Sequence, residues 1–304
     1  MRVAQEDIDD VYENLINWYG DKETVLARYR AEVSMPDDIF VAINKTDNFK
    51  RDEIPELKNA IEAHIKKLSF DLPINLSEQQ KEQVQRFYST NAGALFINTW
   101  VRNAYIKKGQ KIAEKYSGIE QALAAAAKES ASQHSVIFSA AHRGEVLTAF
   151  RQGDPQKVMR AALSDGIKYT QAPQYRGTLV PKDVLDNFNV GDVMRNTFFT
   201  SFSPDIYTPQ KRDEKDKLTH DGFKAAKKFT ENGRKYHTGI PVIYEIPARQ
   251  DYKAHVIKSI YEYETVIPPG EDFEIKEIDR KKTPVYITLQ RVGKAKQATK
   301  YMIH

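Results

Sequence analysis

Apolar side chains recur at helical spacing early in the chain and at alternate positions late in it. Ile8, Val11, Tyr12, Leu15, Ile16 and Tyr19 fall at i, i+3, i+4, i+7 intervals and predict a helix ended by Gly20. Asp21 caps a second helix carrying Val25, Leu26 and Tyr29, which Met35-Pro36 stops. Leu57, Ile61, Ile65 and Leu68 mark a third, closed before Pro73. No chemistry converges in residues 1–75. They read as a helical N-terminal region for delivery, targeting or partner binding, ahead of a catalytic domain over 76–304.

Ser77-Glu78-Gln79-Gln80 is a capping box that opens a helix running to about residue 87. The next helix holds Asn98 and Arg102, four apart and so on one face, an arrangement that alone describes an ordinary polar face. An Ala-rich helix over 122–127 belongs to an insertion between about 109 and 151. Asp154-Pro155 supplies an N-cap with proline at the first helical position, and Gly166 can end that helix.

After Gly166 the pattern changes. Short β-type runs occupy 174–178, 197–203, 242–246, 264–267, 273–278 and 285–292, with one helix over 222–229 among them. In the last run Val285, Ile287 and Leu289 alternate with Tyr286, Thr288 and Gln290, giving one buried and one wet face, after a hairpin turn over 279–284. A helical first half and a strand-rich second half predict an α+β fold.

Composition narrows the function classes. The 304 residues are 40% hydrophobic, enough for a core. No apolar run reaches the roughly 18–20 residues of a membrane span, so no membrane association is expected. The first residues show no Sec-type signal peptide, which leaves delivery by a secretion machine or a phage particle open. Zero cysteines excludes disulfides, thiolate metal sites and a cysteine nucleophile, and the seven histidines show no close ligand spacing; no metal is expected. The net charge of +4 is too balanced for a general nucleic-acid binder. After Asp279 the chain carries Arg280, Lys281, Lys282, Arg291, Lys294, Lys296 and Lys300 without one Asp or Glu. That tail reads as a hairpin edge protected by cations, with a dock for an acidic partner or nucleic acid as the alternative.

The chemistry sits near the end of the chain. Glu262 and Glu264 are two apart in an extended run before Pro268-Pro269-Gly270, so they face one side with Cα atoms roughly 7 Å apart at about 3.3 Å per residue. In a chain that is 29% charged, such a pair alone marks a solvated strand face. Upstream lie Tyr175-Arg176-Gly177-Thr178 and Phe199-Thr200-Ser201-Phe202-Ser203. There is no Gly-x-Gly-x-x-Gly turn and no Walker loop, which argues against a dehydrogenase or a P-loop enzyme.

An arginine, then a serine-rich strand, then Glu-x-Glu in that order resembles the arginine–serine–glutamate class of mono-ADP-ribosyltransferases. That class includes bacterial toxins and effectors, phage modifying enzymes and vertebrate ecto-enzymes. Ile97-Asn98-Thr99-Trp100-Val101-Arg102 is similar to the Ile-Asn-x-x-Leu-Arg helix of the bacterial toxins, with Val for Leu. Leu76-Ser77, Val190-Gly191-Asp192-Val193 and Pro268-Pro269-Gly270 add smaller matches, so the resemblance covers about 76–304. Phe202 departs from the usual Ser-Thr-Ser, at a position that points away from the site.

The resemblance implies two packed, mostly antiparallel β-sheets around an NAD cleft with flanking helices. It implies transfer of ADP-ribose from NAD+, a substrate, to a protein side chain with release of nicotinamide, by a monomer acting in the cytoplasm of a target or infected cell. Glu264 would stabilise the sugar cation, and Glu262 would orient and deprotonate the acceptor; a glutamate there implies an arginine acceptor. Arg176 would anchor the NAD+ phosphates, Gly177 would let the cofactor near the backbone with Thr178 beside it as a further cofactor-binding residue, and Ser201 would hold Glu264, supported by Ser203. Asn98 and Arg102 would assist at ribose and phosphate. The turn Lys258-Ser259-Ile260-Tyr261 matches the target-recognition position, where Tyr261 or Tyr263 would touch the acceptor or serve as core aromatics. NAD+ glycohydrolysis, modification of a nucleic acid and a non-catalytic interaction protein are the alternatives.

Overall fold

The computed structural model describes residues 3–32, 36–45, 50–71, 74–105, 113–132, 138–163, 172–208, 217–234, 238–248, 255–258, 263–292 and 300–302. It begins with α1 (Gln5–Tyr19), α2 (Lys22–Glu32), α3 (Pro36–Asn44) and α4 (Ile54–Asp71). The periodic positions of the sequence do bury: Val11, Leu15, Val25, Leu26, Ile61 and Ile65 are all 0% exposed, in a cluster built wholly from these four helices. Asp21 caps α2 by accepting from the Thr24 amide at 2.7 Å. Helix α3 was not foreseen, because Met35-Pro36 reads as a stop. Proline is equally suited to open a helix, since the first turn has no intrahelical use for its N–H. Ile39, Ala42 and Ile43 then face the cluster.

A second helical layer follows: α5 (Glu78–Tyr88), α6 (Asn91–Tyr105), α7 (Ile119–Ser132), α8 (Arg143–Phe150) and α9 (Pro155–Ala162). The capping box is present, with Ser77 Oγ accepting from the Gln80 amide at 3.2 Å and Gln80 Oε1 accepting from the Ser77 amide at 2.9 Å. Asp154 Oδ1 caps α9 at the Lys157 amide, 2.8 Å away. Glu129 of α7 accepts from the Asn91 and Ala92 amides at 3.1 and 3.3 Å, placing a carboxylate at the positive end of α6. The Ala-rich helix is part of the core: Ala122, Leu123 and Ala126 pack with Val84, Phe87 and Phe138.

The strands are β1 (Gln174–Val180), β2 (Val193–Arg195), β3 (Thr200–Pro204), β4 (Ile206–Thr208), β5 (Lys217–His220), β6 (Ile240–Ile246), β7 (His255–Lys258), β8 (Tyr263–Ile267), β9 (Asp272–Asp279), β10 (Val285–Val292) and β11 (Lys300–Tyr301). Helix α10 (Lys182–Asp186) follows β1, and α11 (Gly222–Gly233) follows β5. Among the described residues nine strands run in the order β11-β2-β9-β10-β6-β1-β3-β8-β7, while β4 and β5 pair separately. Among the described residues only β10–β6 and β11–β2 are parallel pairs. The fold is α+β with a mostly antiparallel sheet.

One seam in that sheet positions the site. Strand β1 pairs with β6 from Gln174↔Ile246 to Val180↔Ile240, but with β3 only at Gln174↔Pro204 and Tyr175↔Ser203. Beyond those two residues β1 and β3 part. The sheet curls there, so that Phe202 and Ile267 from one half share a cluster with Val242, Tyr244, Phe273 and Ile287 from the other. The two halves thus face each other across a common core, as two packed sheets would. On the opposite face of the β3-β8-β7 half, Phe199, Val266 and Ile257 join the core of α5–α9.

Candidate active site

Register brings serine and glutamate to one face. Ser201 pairs with Val266 and Phe202 with Thr265. Directly opposed residues on antiparallel strands point the same way, and residues two apart share a side. Ser201, Ser203 and Glu264 therefore face the helical layer, and all three are half-buried. Phe202, only 2% exposed, points into the core between the two half-sheets, so its departure from Ser-Thr-Ser leaves the polar face intact.

Arg176 arrives from across the seam. Its Nη1 donates to the Ser201 carbonyl oxygen at 2.9 Å, beyond the point where β1 and β3 stop pairing. Burial pulls its guanidinium pKa down, against the charges of Tyr88, Tyr244 and Glu264, which push it up. An arginine so placed stays charged, because a guanidinium is not deprotonated in proteins. The Arg176, Ser201 and Glu264 positions thus converge at the seam between the half-sheets.

Two residues missed in the sequence complete the arrangement. The Tyr88 hydroxyl donates to the Phe199 carbonyl at 2.9 Å and lies 3.4 Å from Ser201 Oγ. Ser89 Oγ lies 3.4 Å from Glu264 Oε2 as donor, and also 3.2 Å from the Gln85 carbonyl. The Tyr88 hydroxyl is pushed up by burial first and by the Glu264 charge second, while Arg176 opposes both. Glu264 is thus reached by Ser89, from a different element, while the Ser201 hydroxyl lies against Tyr88. A Tyr-Ser pair closing a helix carries no periodic or motif signal; only its position after the capping-box helix could have pointed to it.

From α6, Asn98 grips the start of β3. Its Oδ1 accepts from the Phe199 amide at 3.0 Å and its Nδ2 donates to the Phe199 carbonyl at 3.1 Å. Asn98 is 4% exposed, so its amide works as a surrogate strand neighbour that docks α6 on the sheet. The guanidinium of Arg102 sits 5.5 Å from the centre of the Phe198 ring, and burial lowers its pKa. The two residues do share a face, and both contact the segment that leads into Ser201.

Gly177 requires a different reason from the one expected. A Cβ at 177 would lie 2.0 Å from the Ala226 carbonyl oxygen of α11, so the space freed by the missing side chain holds a helix and not a cofactor. Gly222 repeats the device at the start of α11, where a Cβ would meet the Ser203 carbonyl oxygen at 2.2 Å. Thr178 is 5% exposed and paired with Val242, on the same side of β1 as Arg176. Glu262, Ser259, Ile260 and Tyr261 lie outside the described residues.

The turn after Glu264 is held from both sides. Arg160 Nη2 of α9 donates to the Pro269 carbonyl at 2.6 Å, and the Gly270 amide donates to the Asn196 carbonyl at 2.7 Å. The basic tail is partly tied up within the fold. Arg280 donates to the Leu185 and Phe188 carbonyls at 3.1 and 2.8 Å, Lys282 pairs with Asp279 at 3.2 Å, and Arg291 with Glu271 at 2.8 Å. Those cations brace loops and strand ends, which favours the hairpin-edge reading over a dock. Lys294 and Lys296 lie outside the described residues.

No described helix is long and apolar enough to cross a membrane. No family model matches the chain, and no curated protein matches it. Solved structures do. The ADP-ribosyltransferase Vis of Vibrio splendidus, in complex with agmatine, is 20% identical, covering 84% of this chain and 94% of its own with a TM-score of 0.43. The Salmonella SpvB ATR domain is 16% identical over 70% of this chain and 98% of its own, with a TM-score of 0.38. The type III effector XopAI of Xanthomonas axonopodis pv. citri is 12% identical over 96% of this chain and 85% of its own, with a TM-score of 0.33.

Proposed function

We propose that the chain is a mono-ADP-ribosyltransferase that moves ADP-ribose from NAD+ to an arginine of a target protein and releases nicotinamide. The observation that carries this reading is the meeting of Arg176, Ser201 and Glu264 at the seam between the half-sheets. Arg176 hydrogen-bonds the Ser201 backbone there, and Glu264 shares the Ser201 face.

In this reading the bond between nicotinamide nitrogen and ribose C1′ breaks, and its electron pair leaves with the neutral nicotinamide. Positive charge develops on the ribose, and the Glu264 carboxylate stabilises it more than the ground state. No general acid is required, because the leaving group departs from a cationic centre. A guanidinium nitrogen of the acceptor then forms the new bond to C1′, and the proton it sheds passes to Glu262. Free guanidinium is protonated to beyond about pH 12, so it needs such a carboxylate to become a nucleophile. Arg176 supplies a fork-shaped donor for the pyrophosphate side of NAD+. Arg102, Thr178 and Ser203 line its approach, and Asn98 contributes chiefly by fixing β3. Residues 1–75, with a core of their own, serve delivery, targeting or partner binding, and the enzyme acts in the cytoplasm of the cell it enters.

Nicotinamide release from NAD+ tests the core of the proposal. Glu264→Gln is expected to lower it by about 10²–10³, the usual cost of removing a group that stabilises transition-state charge. Glu262→Gln is expected to spare NAD+ hydrolysis and abolish transfer to arginine. Equal loss of both activities in Glu262→Gln would reject the division of roles, and full activity in Glu264→Gln would reject the site.

A further inference from the structure

We propose that the last turn of α5 belongs to the active site as a pair of positioning residues: Ser89 orients the Glu264 carboxylate, and Tyr88 orients the serine strand. This rests on the transferase reading above. Successive helical residues point about 100° apart. At the end of α5 that turn sends Tyr88 into the core, 2% exposed, and Ser89 toward Glu264, half-buried. The Phe199 carbonyl then takes two donors, the Tyr88 hydroxyl at 2.9 Å and Asn98 Nδ2 at 3.1 Å. The backbone just before Ser201 is thereby fixed from α5 and α6 together.

Ser89 has one hydroxyl proton and two acceptors within reach, the Gln85 carbonyl at 3.2 Å and Glu264 Oε2 at 3.4 Å. An ionised carboxylate is the stronger acceptor of the two. Directed at Glu264, the hydroxyl fixes the rotation of the carboxylate and stabilises its charged form. Directed at Gln85, it only closes the helix. Among the described residues, Arg176 of β1 and Tyr88 of α5 interact electrostatically with Glu264.

The test compares Ser89→Ala, Ser89→Thr and Tyr88→Phe with wild type in NAD+ hydrolysis, over pH and NAD+ concentration. Ser89→Ala is expected to lower kcat about tenfold, the scale of one hydrogen bond to a charged group, with KM within about twofold. Its acidic limb should move to higher pH, because losing a donor favours the protonated acid. Ser89→Thr keeps the hydroxyl and should restore both. Tyr88→Phe should lower kcat by a smaller factor, since Asn98 still holds Phe199. Unchanged kcat and pH profile in Ser89→Ala, a loss that falls wholly in KM, or a loss that Ser89→Thr does not restore would each overturn the inference while leaving an active wild type in place. Wild-type protein without NAD+ hydrolysis would overturn the transferase reading and this inference with it.

Discussion

Replacing Gly177 with alanine separates two explanations of that glycine, cofactor access and helix packing. The added Cβ would stand 2.0 Å from the Ala226 carbonyl oxygen, 2.8 Å from its carbon and 2.9 Å from Thr230 Cγ2. Real Cβ contacts do not fall below 3.0 Å, so α11 must retreat by about 3.0 − 2.0 = 1 Å. A gap of that size forfeits a quarter to a half of the dispersion attraction across it. The helix cannot slide aside instead, because Gly222 pins its first turn against the Ser203 carbonyl. The two nearest offending atoms, the Ala226 carbonyl oxygen and carbon, are backbone, which no rotamer change relieves. Overpacking of this kind costs about 1–3 kcal/mol. For a unit of some 150–250 residues that lowers Tm by about 2–4 °C per kcal/mol, hence about 2–12 °C. Circular dichroism melts of wild type and Gly177→Ala read the shift directly. An unchanged Tm would refute the packing argument, and an unchanged Tm with lost NAD+ binding would return the glycine to the cofactor.

Three further outcomes follow from the same geometry. Ser77→Ala removes the side-chain acceptor of the Gln80 amide and should cost about 1 kcal/mol, seen as a lower urea midpoint; no change would show the capping box to be idle. Arg176→Lys keeps the charge but loses the planar fork, so kcat/KM for NAD+ should fall about ten- to a hundredfold; full activity would deny Arg176 a phosphate role. Tyr88 and Tyr244 are buried, and burial raises both phenols above the ordinary 10.0. The folded state then holds protons that the unfolded state has lost, so their contribution is whole below about pH 10 and declines as pH rises further, by up to about 1.4 kcal/mol per pH unit for each group. Urea midpoints between neutral and strongly alkaline pH should show that decline, with a shallower slope in Tyr244→Phe; a flat profile would contradict the burial.

Where local chemistry decided structure, the sequence was legible. Ser77-Glu78-Gln79-Gln80 and Asp154-Pro155 cap helices as read, and the alternation from Val285 to Leu289 matches the buried positions of β10. Elements set by tertiary pairing were not. Strands β2, β4, β7 and β11 have two to four residues each, too few for alternation to register. Helix α3 hid behind a proline that can stop one helix or start another. Within the site, Arg176, Ser201 and Glu264 were legible through motif order, but their meeting depends on the seam where β3 leaves β1 for β8, a matter of register. The contact of Asn98 with β3 was not legible, since its partner Phe199 lies a hundred and one positions on. Tyr88 and Ser89 had no signal because hydroxyls at a helix end ordinarily serve only the helix. The reason for Gly177 lay in α11, which no reading of β1 alone can supply.

The account stands or falls on whether Glu264 drives transfer of ADP-ribose to arginine. Target-cell lysate incubated with the protein and NAD+, then digested and read by mass spectrometry, should show ADP-ribose on arginine side chains, and Glu264→Gln should leave none. Equal labelling by wild type and Glu264→Gln, or no labelling by an intact wild type, would contradict it.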